Sequence, residues 1–232
     1  MAHEAKIHET QTIILRELLF LPFARFSELR KRTSLESDYF KFHLQRLVDV
    51  GYIEKNVSGQ YKLTQAGKEY ANKLDTDKNV IERQPKSAII IVVEHDGKLL
   101  IQERLKHPFF GFWGYPGGKI RWGETILEAA ARELEEETGL TAHHTYQGVY
   151  HEHVRSAETD DILEDKIFHV VSAHTPNGNL KEYFDGGRNA WMTIEEITLL
   201  DKKFKSTDIE TGIGLGKFSF VEKTQVYTNE EF

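Results

Sequence analysis

The 232-residue chain has no cysteine, which excludes disulfide staples and thiolate zinc sites. Long hydrophobic runs are missing as well. The longest aliphatic stretch, Ala88 to Val93, is a strand's worth and far below the ~20 residues that cross a bilayer. The N-terminal stretch MAHEAKIHET is polar and lacks the apolar segment of a signal peptide. These absences lead to the expectation of a cytoplasmic protein with no membrane partner. Positive charge is also short, with a formal net charge of −7, but the deficit is uneven. Residues 1–80 carry 13 Lys and Arg against 11 Asp and Glu, so the remainder holds about −9. A slightly basic front and an acidic back suggest two units with different partners. Hydrophobic residues at 39% and aromatics at 11% provide for a sizeable core, and the length suits one or two domains.

Along the first 75 residues the pattern changes period several times. From His8 to Phe20, Ile13, Ile14, Leu18 and Leu19 recur at helical spacing, and Pro22 follows. Ser27 can cap a short second helix, FSELRKR. A third helix, from about Glu36 to Val50, buries Phe40, Leu44, Leu47 and Val48 and stops at Gly51. Tyr52–Lys55 and Gln60–Leu63 read as a hairpin around NVSG, and Thr64 caps a fourth helix. The segment LQRLVDVGYIEKNVSGQYKLTQAGKEY resembles the portion of a winged helix-turn-helix domain that runs from recognition helix through wing. That resemblance places Tyr39, Lys41, His43, Gln45 and Arg46 against a DNA major groove and Lys55 and Lys62 near its backbone. The alternative is a module for dimerisation or regulation, with these charges forming a solvated face; the near-neutral balance gives it weight, since DNA affinity rests largely on phosphate neutralisation, and DNA binding stays the leading expectation. Winged-helix proteins often pair, which adds a homodimer to the expectations.

Residues 76–86, around Pro85, have little apolar periodicity and read as a linker. Beyond them, Ala88–Glu94 and Lys98–Glu103 form a hairpin pattern with Asp96-Gly97 at the bend.

The stretch GGKIRWGETILEAAARELEEETGL, Gly117 to Leu140, poses a problem. Thr125 and Glu128 form a capping box that starts a helix near Ile126, and Gly139 supplies a left-handed stop. At about 100° per residue, Glu133, Glu136 and Glu137 share one patch. Leu127, Ala131, Leu134 and Thr138 form the expected core-facing stripe. Like charges at these spacings repel, and the C-terminal end of the helix dipole adds to the cost. A solvated helix face would mix in lysines, and none is present. Carboxylates gathered beside a glycine loop that offers a carbonyl suit a hard cation such as Mg²⁺ or Mn²⁺.

Gly118, Glu124, then Arg132-Glu133-Leu134-Glu135-Glu136-Glu137-Thr138-Gly139-Leu140 match the Nudix box, G-x5-E-x7-R-E-U-x-E-E-x-G-U, at every specified position. The chain therefore resembles the Nudix hydrolases over the box and, more loosely, over about residues 87–200. The resemblance implies an α/β/α sandwich over residues 87–232, with the tail from 201 open, preceded by the small winged-helix domain at 1–75. It implies hydrolysis, by water, of the pyrophosphate in a nucleoside diphosphate-linked substrate. Carried over by position, Glu133, Glu136, Glu137 and the Gly118 carbonyl are the metal ligands, and Glu124 with Arg132 the supporting pair. Glu136 and Glu133 both remain open as the general base. The family often borrows a further acid from a later loop, for which Glu158, Glu164, Glu182 and Asp185 stand as candidates. A second reading is a transcription regulator whose Nudix domain senses a nucleotide-type ligand; such regulators commonly reverse the domain order and lose box glutamates.

Weaker signals surround the box. Phe109, Phe110, Phe112, Trp113 and Tyr115 crowd its approach, and Trp113 or Tyr115 is the choice for a ring stacked on a nucleobase. Arg104 is a candidate phosphate partner. His151 and His153 share one face of an expected strand and offer imidazoles to metal or substrate. GIGLGK has the wrong spacing for a phosphate loop, with Phe218 where Ser or Thr is needed. ADP-ribose hydrolases of the family tend to carry a proline some fifteen residues beyond the box, whereas the first here is Pro176. The nucleotide-type substrate is left unassigned. FSFVEKTQVY reads as a last strand.

Overall fold

The computed structural model describes residues 7–33, 35–75, 77 and 80–232. Residues 1–6 of the polar N-terminal stretch, with Thr76, Lys78 and Asn79 of the expected linker, lie outside the described residues. The chain divides into two compact units, Met1–Arg83 and Gln84–Phe232.

The first unit begins with α1 (Glu9–Phe20), α2 (Phe26–Thr33) and α3 (Ser37–Asp49). His8 caps α1: its Nδ1 accepts from Thr10 N at 3.1 Å while Gln11 Oε1 accepts from His8 N at 2.9 Å. This is a capping box with an imidazole in the place usually held by Ser or Thr. Strands β1 (Ile53–Lys55) and β2 (Tyr61–Leu63) pair antiparallel, and Thr64 caps α4 (Gln65–Ala71). Ile14, Leu15, Leu18, Phe40, Leu44 and Leu47 are buried together at the centre. Next, β3 (Leu74–Asp75) pairs with β4 (Val80–Ile81), and Glu82 N donates to Lys73 O. Part of the segment expected as a linker thus folds back on the first unit, and the division falls between Arg83 and Gln84.

The second unit is a mixed sheet between helices. In chain order it comprises β5 (Lys86–His95), β6 (Lys98–Arg104), β7 (Trp113–Gly114), β8 (Gly117–Lys119), α5 (Ile126–Thr138), β9 (Leu140–Ser156) and β10 (Ile162–Gly178). These are followed by β11 (Tyr183–Phe184), β12 (Gly187–Met192), α6 (Ile194–Thr198), α7 (Thr207–Gly214) and β13 (Phe220–Tyr227). The strand order is β11-β12-β6-β5-β10-β9-β13, with β10 parallel to β5 and β13 parallel to β9.

Alternation along β5 builds two cores. Ile89, Ile91 and Val93 pack with Ala129, Ala130 and Leu134 of α5. Ile90 and Val92 face the other way, toward Ile197 of α6 and Ile213 of α7. Each side chain so buried contributes about 1.5–3 kcal/mol, and burial on both faces makes the expected helix–sheet–helix sandwich. The tail beyond residue 201 belongs to this unit: α7 covers one face and β13 closes the edge. No helix among the described residues is long and apolar enough to cross a membrane.

One irregularity positions the site. Strands β5 and β6 pair only beside their turn, at Glu94↔Leu99 and His95↔Lys98, where Asp96 and Gly97 take φ of 50° and 74°. Beyond that they part. Strand β8 takes the free edge of β5, and β7 the free edge of β6.

Candidate active site

Helix α5 starts and stops as its sequence dictates. Thr125 N donates to Glu128 Oε2 at 2.8 Å and Glu128 N to Thr125 Oγ1 at 3.3 Å. Gly139 closes the helix with φ of 72°, in the left-handed region where a side chain is strained. The face it buries differs from the expected stripe. Ala129, Ala130, Leu134 and Thr138 are buried, whereas Leu127 is 44% exposed and Ala131 is also outside. The alanines let the helix lie close on β5, which rolls it so that Glu133 and Glu137 turn toward the protein. Leu127 pays for that with exposure.

Arg132 organises the carboxylates. Its Nε and Nη2 meet Glu124 at 2.5 and 2.8 Å, and its Nη1 reaches Glu133 at 2.6 Å and Glu136 at 3.2 Å. Lys119 O accepts from Nη2 at 3.2 Å, tying the loop to the helix. The fork on Glu124 holds that carboxyl at a pKa of about 2, with the Arg121 backbone N–H at 2.8 Å assisting. Gly118 is required by contact: a Cβ there would lie 2.4 Å from the Glu133 carboxylate. Glu136 stands apart, 48% exposed and held by Arg121 at 3.1 Å as well as by Arg132. The three box glutamates therefore do not meet at one point.

Glu133 and Glu137 line a cavity of about 580 Å³ at the split between β5 and β6. Burial raises the Glu137 pKa to about 7, with Glu133 pushing the same way against the Gln102 amide and the cations of Lys106 and Arg104. Two carboxylates thus face one cavity, with the cations of Arg104 and Lys106 beside them and one of the two resisting ionisation. Together with an adjacent glycine backbone they offer the oxygen donors that a hard divalent cation prefers.

Arg104 lines the cavity as expected, with Nε donating to Pro108 O at 2.5 Å. Tyr115 lines it too, but its hydroxyl is engaged with Thr211 Oγ1 at 2.6 Å. Trp113 does not. It is buried in the core, with the Arg188 guanidinium 5.1 Å over its ring, so packing rather than ligand contact explains it. Phe109 and Phe112 pack with Tyr227 in a core shared with Phe204 and Phe232 of the tail. Of the four later acids, Glu164 lines the cavity, Glu158 accepts from Asn229 N, and Glu182 and Asp185 are exposed.

Sequence reasoning missed Glu152 and Glu210, which with Glu164 and Lys166 form the far end of the cavity. Burial raises the Glu152 pKa and lifts that of Glu210 to about 8. Tyr150 OH donates to Glu152 at 2.8 Å, and Lys166 pairs with Glu164. A signal existed: Tyr150, Glu152 and Val154 alternate on one strand face, as do Glu164, Lys166 and Phe168, so acids sit at inward positions.

In the first unit, Tyr39, Lys41, Gln45 and Arg46 are exposed on α3, with Gln45 donating to Asp49 at 2.9 Å. Lys55 lies over the Tyr61 ring and Lys62 pairs with Glu54 at 2.8 Å. His43 is misplaced among the groove-facing candidates. It is 4% exposed, stacked on His8 at 4.4 Å, with neither ring nitrogen hydrogen-bonded. It falls on the helix face of Phe40 and Leu47, which fixes it inside.

The NUDIX domain family matches residues 83–211. The chain belongs to the Nudix family. An ADP-ribose pyrophosphatase of Methanocaldococcus jannaschii is 38% identical over 89 residues, covering 36% of this chain and 53% of that protein. An isopentenyl-diphosphate Delta-isomerase of Serratia proteamaculans is 31% identical over 146 residues, covering 54% and 76%. The chain thus spans about half the length of the first relative and three quarters of the second. A MutT protein from Bacillus halodurans shares the fold, with a TM-score of 0.52 and 23% identity over 63% of this chain and 93% of that one. Relatives of such different names show that the Nudix scaffold alone does not define the reaction, which has to be argued from the site.

Proposed function

We propose that the Nudix unit hydrolyses the pyrophosphate linkage of a nucleoside diphosphate-linked substrate with the help of a divalent metal ion. The observation that carries this reading is the placement of Glu133 and Glu137 on one cavity with Arg104 and Lys106. Glu133, Glu137 and the Gly118 carbonyl would hold Mg²⁺ or Mn²⁺ at the cavity, and Glu136 would join them on leaving Arg121 and Arg132. Such an ion, when bound, offsets phosphate charge and makes water a stronger nucleophile. Arg104 and Lys106 bind phosphate oxygens. Arg132 keeps Glu124 and Glu133 oriented. Of the two carboxylates open as general base, Glu133 faces the cavity and Glu136 faces solvent between two arginines; this favours Glu133 to take the proton of the attacking water.

The far end of the cavity supports a statement about the rest of the substrate. Glu152 and Glu210, which burial keeps from ionising, and the Lys166-paired Glu164 offer hydrogen-bonding oxygens rather than free charge, which suits the N–H or O–H groups of an amino-bearing base or a sugar. The M. jannaschii relative is named for ADP-ribose, which carries both. The test is hydrolysis of nucleotide sugars, dinucleotides and nucleoside triphosphates with Mg²⁺. Turnover of none, by protein shown to bind the metal, refutes the reading.

The first unit is read as a winged helix, with α3 as recognition helix and the β1–β2 hairpin as wing. The exposed Tyr39, Lys41, Gln45 and Arg46 favour DNA contact, and a homodimer would present two such helices. The Nudix unit then also serves as the sensor of a regulator in the cytoplasm. A salt-dependent mobility shift on the DNA upstream of its own gene tests this; absence of binding at low ionic strength discards it.

A further inference from the structure

Outside the cavity, one group of side chains has the geometry of a metal site. His151 and His153 lie on β9, Asp165 on β10 and Glu222 on β13. Register brings them together: Asp165 is opposite His153, Ile167 opposite His151, and Glu222 opposite His151 from the other side. They occupy the sheet face opposite Glu152 and Glu164, whose side chains line the cavity. Ligand atoms of His151, His153 and Asp165 all lie within 4.8 Å of one another.

We propose that His151, His153 and Asp165 bind a late first-row divalent ion, zinc by preference, and that Glu222 orients His151 for it. Zinc bonds to imidazole nitrogen and carboxylate oxygen of about 2.0–2.1 Å put tetrahedral ligands about 3.3 Å apart. His151 Nε2 lies 2.9 Å from Asp165 Oδ1, and His153 Nε2 lies 3.6 Å from Asp165 Oδ2, which brackets that spacing. The second observation concerns the other ring nitrogen. His151 Nδ1 is 2.9 Å from Glu222 Oε2, and a carboxylate is one of the partners, with backbone carbonyls and water, to which metal-bound histidines almost always give their other ring nitrogen. Among the described residues, neither Asp165 nor Glu222 pairs with a lysine or arginine. All four residues are partly open, so an ion has access and a fourth ligand position stays free for water. Imidazoles distinguish this site from the all-oxygen set of the Nudix box, which suits Mg²⁺ or Mn²⁺. Its effect is structural: the ion ties β9 and β10 directly, and through Glu222 the edge strand β13, whose Tyr227 packs under Phe109.

The test is titration of tag-free, full-length protein with Zn²⁺ against a coloured chelator, in excess Mg²⁺ to occupy the box. Visible absorption of Co²⁺ serves as a second readout. One equivalent should bind in the native protein and in Glu137→Gln, and none of that equivalent in His153→Ala or Asp165→Asn. Glu222→Gln should weaken it about 10- to 100-fold. Zinc should raise the melting temperature of the native protein but not of Asp165→Asn, which keeps the side-chain size and carries the test if His153→Ala fails to fold. Absence of bound Zn²⁺, an undiminished equivalent in both site variants, or its loss in Glu137→Gln overturns the proposal.

Discussion

Helices α3 and α5 are each 13 residues long and use charge in opposite ways. In α3 the buried face is Phe40, His43, Leu44 and Leu47, and the charged residues stand in water at little cost. In α5 two alanines sit where large side chains would be expected, and Glu133 and Glu137 face a cavity where burial opposes the charge of Glu137. The first arrangement is what folding alone favours. The second is held by Arg132, and the repulsion it retains is a cost that folding alone does not select.

Breaking the α5 arrangement should have the largest effect. Glu133→Gln should cut turnover by at least about two to three orders of magnitude, and Glu136→Gln likewise, with circular dichroism unchanged; equal rates in variant and native protein would remove the assignment of that residue.

The next effect is on stability. Burial raises the folded pKa of Glu137 to about 7, above the ordinary carboxylate value of 4.5. Below the unfolded pKa it is neutral in both states; as pH rises toward 7 only the unfolded state ionises, so stability is lost over that window. Metal-free Glu137→Gln should therefore be more stable than the native protein at pH 8, by roughly 3 kcal/mol, while losing activity. Urea titration checks this, and added Mg²⁺ should close the gap.

Glu124 has the opposite sign. Its folded pKa of about 2, depressed mainly by the Arg132 fork, contributes stability above the unfolded value that disappears as pH falls from about 4.5 to 2. Glu124→Gln should flatten that acid limb.

The smallest effects probe α3. Lys41→Ala and Arg46→Ala should each lower the salt slope of DNA binding by about 1 and leave hydrolysis unchanged. His43→Leu should stabilise by about 1 kcal/mol, because a buried ring whose nitrogens lack hydrogen bonds is replaced by an apolar side chain. Loss of DNA affinity in His43→Leu with folding intact would restore that histidine to the groove.

Much of the local structure was legible in single residues. Thr125 and Glu128 announced a helix start, Gly139 its end and Asp96-Gly97 a tight turn, because each is set by backbone geometry over three or four positions. The wheel drawn for α5 failed for a related reason. Hydrophobicity put Leu127 and Ala131 inside, but the depth at which a helix can lie on a sheet depends on side-chain size, and Ala129 and Ala130 permitted the closer approach. Trp113 drew attention as an aromatic near the box, yet ring type does not distinguish a core from a pocket.

The spacing from Gly118 to Leu140 settled the family and the helix on which the carboxylates sit, since local hydrogen bonding and a fixed helical rise need nothing beyond the segment itself. Chain folding over long separations decided the rest. Glu152 meets Glu210 because α7 packs on β9, and His151 meets Asp165 and Glu222 through the register of β10 and β13 on β9. Those depend on how the two cores pack, a sum of many small contacts that no short stretch of sequence contains.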